Sequence, residues 1–239
     1  MGALYRADLL SSLALWVGGK RIPIVRKAST KMAIVLTIGH STRPWKVFLG
    51  LLRAHDVKRV IDVRSIPRSR HNPQFDQKTL SVKLRAAGIG YVHLRKLGGL
   101  RHARRDSPNM GWRNASFRGF ADYMQTSEFE AGLHRLIKLA GQKRSAIMCA
   151  EAVPWRCHRS LIADVLMTRG IRVEDIKSEK SAQVHSLTSF ARVSGHRITY
   201  PLGRSSRVGP PSNRSTREKG GIRKRATTIA NKRAASLAK

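Results

Sequence analysis

The chain has 239 residues, 41% of them hydrophobic, with 47 Lys+Arg against 14 Asp+Glu and a formal net charge of +33. This length holds one ordinary domain with extensions or two small ones, and no run approaches the roughly 20 apolar residues needed to span a bilayer, so no membrane span is expected. Two cysteines do not make a disulfide framework and fit a reducing cytoplasm, while the charge favours polyanionic partners such as nucleic acid, ribosomes or an anionic membrane surface.

Residues 9–19, "LLSSLALWVGG", have the length of a signal-peptide core, but Asp8 precedes them, Lys20 and Arg21 follow, and no cleavage site is clear. Organised sequence begins at Met32, so residues 1–31 are expected to be an unstructured leader or a mis-assigned start. From there short apolar runs alternate with longer amphipathic ones, the pattern of an α/β fold. "AIVLTIG" (33–39) reads as a buried strand, and Pro44 suits the first turn of a helix carrying Trp45, Phe48, Leu51 and Leu52. Strand "VKRVIDVR" (57–64) is followed by a Pro- and Arg-rich loop, a helix at 76–88 closed by Gly88, and strand "IGYVHL" (89–94).

The polar stretch 95–114 is long for a structureless loop inside a domain, which marks it as functional or disordered. Helical periodicity at 117–141 breaks near Thr126-Ser127. A strand at 144–151, a helix at 156–170 closed by Gly170 and a strand at 171–176 complete the pattern. The expected architecture is a single compact α/β domain over 32–180, with a mostly parallel sheet flanked by helices. Residues 181–202 form an extension readable as one more strand or as nothing ordered. Residues 203–239 hold eleven Lys/Arg, one Glu and no aromatics, the composition of a disordered basic tail. The aromatics Phe75, Tyr91, Trp112, Phe117, Phe120 and Tyr123 gather around the long loop. Phe117, Phe120 and Tyr123 have core spacing, and Trp112 is the best candidate for an exposed ring that could stack on bases.

Parallel α/β sheets collect ligands at the carboxyl ends of their strands. Gly39, His40 and Ser41 end the first strand, Asp62 and Arg64 the second, and Cys149 and Glu151 the fourth. In "CAEAVPWRCHRS" (149–160), a cysteine before a proline turn and a helix start suits nucleophilic or anion-binding chemistry. Yet Arg156 falls one position beyond the cysteine-phosphatase spacing, and the loop has no glycine. Zinc is a second reading of Cys149, Cys157, His158 and a distant His40. Against it, adjacent Cys157 and His158 would diverge on a helix, so no metal is assigned. The plain alternative is two small buried cysteines. It leaves Glu151, His158 and Arg159 poorly explained, since buried charges demand partners. In the loop "RSIPRSRHNPQF" (64–75) two prolines limit the backbone, so its arginines could face a phosphate or carboxylate, or simply be solvated.

Taken together, "TIGHST" (37–42), "VIDVRSIPRSRHNPQF" (60–75), "LGG" (97–99), "FADYM" (120–124) and "CAEAVPWRCHRSLIADVL" (149–166) resemble the DUF488 family over roughly 34–176. The resemblance implies a bacterial or archaeal cytoplasmic α/β domain starting near Met32, and it names no reaction and no cofactor. The matched polar positions are Gly39, His40, Ser41, Asp62, Arg64, Pro67, Ser69, Arg70, Cys149, Glu151, Cys157, His158 and Arg159. The resulting expectation is an enzyme-like pocket for a small anionic, nucleotide-type ligand or a nucleic-acid end. In it His40 is the general acid/base, Arg64, Arg70 and Arg159 hold the anion, and Cys149 and Glu151 are the reactive or orienting pair. The alternative is a non-catalytic nucleic-acid binder acting through its basic tail and surface. Neither reading sets an oligomeric state.

Overall fold

The computed structural model describes residues 34–203 together with the strands 14–17 and 20–23. The expectations for the rest of the leader and for the tail from residue 204 lie outside the described residues. Within the leader, β1 (Ala14–Val17) and β2 (Lys20–Pro23) pair antiparallel, a local pairing that the reading of 1–31 as unstructured did not include.

Seven elements of the central domain occur where periodicity put them, with ends shifted by a few residues: β3 (Ile34–Gly39), α1 (Trp45–Ala54), β4 (Arg59–Asp62), α2 (Gln77–Ala86), β5 (Gly90–His93), α3 (Ala115–Tyr123) and α4 (Ser127–Gln142). The 117–141 pattern breaks because Thr126 turns extended and caps α4, its side chain accepting from the Phe129 N–H. β6 (Ser145–Cys149), α5 (Arg159–Thr168) and β7 (Arg172–Ser178) follow. Gly88 and Gly170 both lie beyond helix ends with positive φ, 76° and 71°.

The six-stranded sheet runs β5-β4-β6-β3-β7-β8, with the first five strands parallel and β8 (Ser181–Val184) antiparallel at the edge. Both faces are covered, so successive strand residues divide between two cores. Val35, Ile61 and Ile147 pack on one side with Phe120, Phe129 and Leu161. Leu36, Val60 and Ala146 pack on the other with Phe48, Phe75 and Leu84. All five parallel strands end on the same edge, which brings Gly39, Asp62 and Cys149 together. No helix among the described residues is long and apolar enough to cross a membrane.

The 181–201 segment belongs to the domain. β9 (Arg192–Ser194) and β10 (Arg197–Thr199) form a hairpin, and Tyr200 is fully buried with its hydroxyl on Asp164. The weak pattern there has a physical reason: the segment packs on a loop, so neither a helical nor a strand period applies. That loop is 95–114. Asp122 anchors it, accepting from Ser107, Asn109 and the Arg104 N–H, and Asn109 in turn accepts from the Tyr200 N–H. Trp112 is accordingly not an exposed stacking ring; it is half-buried among Phe117, Phe190 and Tyr200.

His185 clasps the segment to the sheet, with Nε2 2.9 Å from Asp164 Oδ1 on α5 and Nδ1 3.5 Å from Asp175 Oδ2 on β7. Burial alone would lower its pKa, but the hydrogen bonds and charges of Asp164 and Asp175 outweigh that and raise it from 6.5 to about 9. A raised pKa adds stability in full below the unfolded value and loses it as pH rises through the folded one. Thermal melts from pH 6 to pH 10 should therefore show a decline beginning above about 6.5 and complete beyond about 9. His185→Gln should remove that decline; an unchanged profile would refute the clasp.

Candidate functional site

The site is assembled by stitching the end of β3 to the end of β6. The His40 N–H donates to the Cys149 carbonyl at 3.0 Å and the Ser41 N–H to the Ala150 carbonyl at 2.8 Å, with Ser41 at φ 48°. The chains approach so closely that a Cβ on Gly39 would lie 1.8 Å from the Glu151 carbonyl oxygen. Glycine is required there for clearance.

Asp62 and Arg64, at the end of β4, form a buried pair, 0% and 4% exposed. The Arg64 fork meets both carboxylate oxygens at 2.6–3.1 Å and also donates to the Phe75 carbonyl, while Tyr91 Oη donates to Asp62 at 2.8 Å. Its remaining nitrogen lies 3.3 Å from His40 Nε2. His40 Nδ1 bonds the Ser41 carbonyl, which can only accept, so Nδ1 carries the proton and Nε2 receives from Arg64. Burial, assisted by the charges of Arg64 and Arg159, lowers the His40 pKa to about 4 and keeps the ring neutral. His40 stacks on Phe75 and braces Arg64 from behind.

Arg159 opens α5 but points back under the sheet edge at 1% exposure. It donates to Thr37 Oγ1 at 3.1 Å, to the Glu151 carbonyl at 2.8 Å and to Cys157 Sγ at 3.4 Å. Its charge is thus committed inside the protein, fixing the 149–157 turn, and Arg64 is likewise committed to Asp62.

The turn itself overturns the reason given against a shared role for Cys157 and His158. α5 begins only at Arg159: Cys157 is extended (φ −131°, ψ 143°) and His158 helical (φ −57°, ψ −13°). The chain bends between them, and both side chains face Cys149. His158 Nδ1 lies 3.7 Å from Cys157 Sγ and 3.9 Å from Cys149 Sγ. His158 Nε2 donates to the Val63 carbonyl at 3.0 Å, and the ring meets Phe120 edge-on. A Cβ on Gly99 would fall 2.5 Å from His158 Nδ1, which accounts for the second glycine of "LGG". A hydrogen bond from the Cys149 thiol, helped by His158 and Arg159 against the effect of burial, pulls the Cys157 pKa well below its ordinary value; the same hydrogen bond and burial push that of Cys149 up.

Above these groups opens a cavity of about 380 Å³. Of the expected site residues, Arg64, Cys149, Glu151, Cys157 and His158 line it, whereas Gly39, His40, Ser41, Asp62 and Arg159 do not. Arg70 and Ser69 do not line it either; the Ser69 N–H donates to Asp76 and its hydroxyl accepts from the Asn72 N–H, shaping the proline loop. The cations on the wall besides Arg64 are Arg68 and Arg156, both exposed and without an ion pair among the described residues. Both lie inside the quoted motifs, yet only the fold distinguishes them from Arg64 and Arg159, because a sequence does not show which guanidinium is already occupied.

No curated protein and no solved structure matches the chain. A family model, domain of unknown function DUF488, matches residues 44–166, just over half of the chain. The match begins after the Gly39–Ser41 turn and includes the Asp62–Arg64 pair, both cysteines, His158 and Arg159. With that span holding the charge pair, the sulfur–imidazole cluster and the buried guanidinium of the cavity, the chain belongs to the DUF488 family.

Proposed function

We propose that the cavity at the strand ends is an enzyme-like site for a small anionic ligand of the phosphate or nucleotide type. The supporting observation is the wall itself: exposed Arg68 and Arg156 face a floor of two sulfurs and an imidazole, with Glu151 beside them. Guanidinium forks recognise phosphate and carboxylate oxygens through paired N–H donors. Arg64 and Arg159 hold the floor rigid, Asp62 neutralises Arg64, and Glu151 is the carboxylate on the wall available to exchange a proton with a bound ligand.

Titration calorimetry with inorganic phosphate and a nucleoside monophosphate tests this. Arg68→Ala and Arg156→Ala should each weaken binding by about 10-fold or more, the value of one charge-assisted hydrogen bond. Arg70→Ala, on the same loop but away from the cavity, should leave binding unchanged. Equal losses for Arg68→Ala and Arg70→Ala would reduce the effect to general surface charge and refute the pocket.

A second reading, general polyanion binding, draws on where the acids lie. Asp62, Asp122, Asp164 and Asp175 are each at most 6% exposed, so part of the scarce negative charge is hidden and the surface is more basic than the composition suggests. Affinity for any duplex or single strand should fall steeply with salt, and deleting residues 203–239 should remove most of it. Retained affinity after truncation would place the binding on the domain surface.

A further inference from the structure

The three groups on the cavity floor are arranged as ligands. Cys149 Sγ, Cys157 Sγ and His158 Nδ1 all lie within 4.8 Å of one another. A tetrahedral zinc ion with Zn–S of about 2.3 Å and Zn–N of about 2.0–2.1 Å sets sulfur and nitrogen about 3.6 Å apart, by the geometry of those bonds. The two sulfur–nitrogen separations here, 3.7 and 3.9 Å, are close to that edge without any rearrangement.

The imidazole is set for coordination. Because the Val63 carbonyl can only accept, His158 Nε2 carries the proton and the Nδ1 lone pair is directed at the two sulfurs. A ligand histidine held by a backbone carbonyl through its other nitrogen is the usual outer arrangement of protein metal sites. Arg159 donates to Cys157 Sγ, the same outer support for a thiolate. Each ligand is placed by a separate device: Cys149 by the β3–β6 stitching, Cys157 by Arg159, and His158 by Val63 and the clearance at Gly99. Two soft sulfurs and one imidazole select zinc-like ions over calcium or magnesium.

We propose that Cys149, Cys157 and His158 bind one thiophilic divalent cation of the zinc class, with its fourth position open to the cavity. On binding, each cysteine still carrying its proton releases it to solvent, and two thiolates balance the dication. Three protein ligands plus an open position is the pattern of reactive zinc sites, whereas structural sites close all four. The open position faces Arg68 and Arg156, so water or an anion oxygen is the natural fourth ligand.

The experiment uses the full chain, reduced and stripped with a chelator, titrated with Co(II). The expected result is one cobalt per chain, a thiolate-to-cobalt charge-transfer band and intense four-coordinate visible bands, all abolished by added zinc. Cys149→Ser and Cys157→Ser should each remove much of the charge-transfer intensity. His158→Gln should weaken cobalt by on the order of 100-fold or more, since even outer-shell losses reach 10–100-fold. In case these variants fail to fold, zinc should also protect both thiols of the wild-type chain from alkylation. Weak six-coordinate cobalt bands without charge transfer, or thiols alkylated equally with and without zinc, would overturn the proposal. Arg68→Ala and Arg156→Ala should bind cobalt as wild type does, so failure of the metal site and failure of the anion pocket are read separately.

Discussion

Asp62→Ala is expected to lower stability by roughly 3–5 kcal/mol, the cost of leaving a buried charge without its partner. For a domain of this size that is a fall in melting temperature of roughly 6–20 °C. Asp62 is fully buried and accepts from the Arg64 fork, the Arg64 N–H and Tyr91. Removing it strands a guanidinium that is 4% exposed. The loss should exceed what the missing volume alone explains. Converting both members to apolar residues, Asp62→Leu with Arg64→Met, should recover a good part of it, because a buried ion pair often contributes little over well-packed hydrophobes. Denaturant melts of the single and double variants decide the matter. If Asp62→Ala costs less than about 1 kcal/mol, in the range of an exposed pair, the buried pair is not what holds Arg64.

Gly39→Ala should be the most damaging one-carbon change at the site. Its Cβ would sit 1.8 Å from a backbone oxygen and 2.9 Å from the Ala152 Cα, so no flexible side chain can yield. The ends of β3 and β6 must separate, breaking the hydrogen bonds from His40 to Cys149 and from Ser41 to Ala150. The expected cost is roughly 3 kcal/mol or more, at or above the upper range for overpacking. Cys149 should shift with the turn, so the cobalt charge-transfer band should fade in any fraction that remains folded. Gly88→Ala is the control: its φ of 76° brings strain, but nothing lies within 4 Å of the added carbon. It should cost about 1 kcal/mol and leave the cavity untouched. Equal losses at the two glycines would show that the close approach at position 39 is relieved at little cost and does not set the stability there.

Much of the fold was legible from local order. The apolar runs at 33–39 and 144–151 announced buried parallel strands, and Gly88 and Gly170 marked helix ends, because these properties reside in neighbouring residues. Parallel topology brings Gly39, Asp62 and Cys149 to one edge of the sheet, at the carboxyl ends of their strands. The extension at 181–201 was not legible, since its anchors are Tyr200 on Asp164 and His185 on two carboxylates, contacts between separate elements with no period.

At the site the division is sharper. The sequence by itself determined which chemical groups are present, their order, and the family that carries them. Only the tertiary structure decided which are free. It placed Arg64 and Arg159 inside, committed to Asp62 and to the Cys157 turn, and left Arg68 and Arg156 facing the cavity. It also turned Cys157 and His158 toward Cys149, because α5 begins at Arg159 and not at Arg156 as the helical pattern implies. The physical reason is that the availability of a charge or a lone pair depends on the partners that burial imposes on it, and those partners come from distant strands.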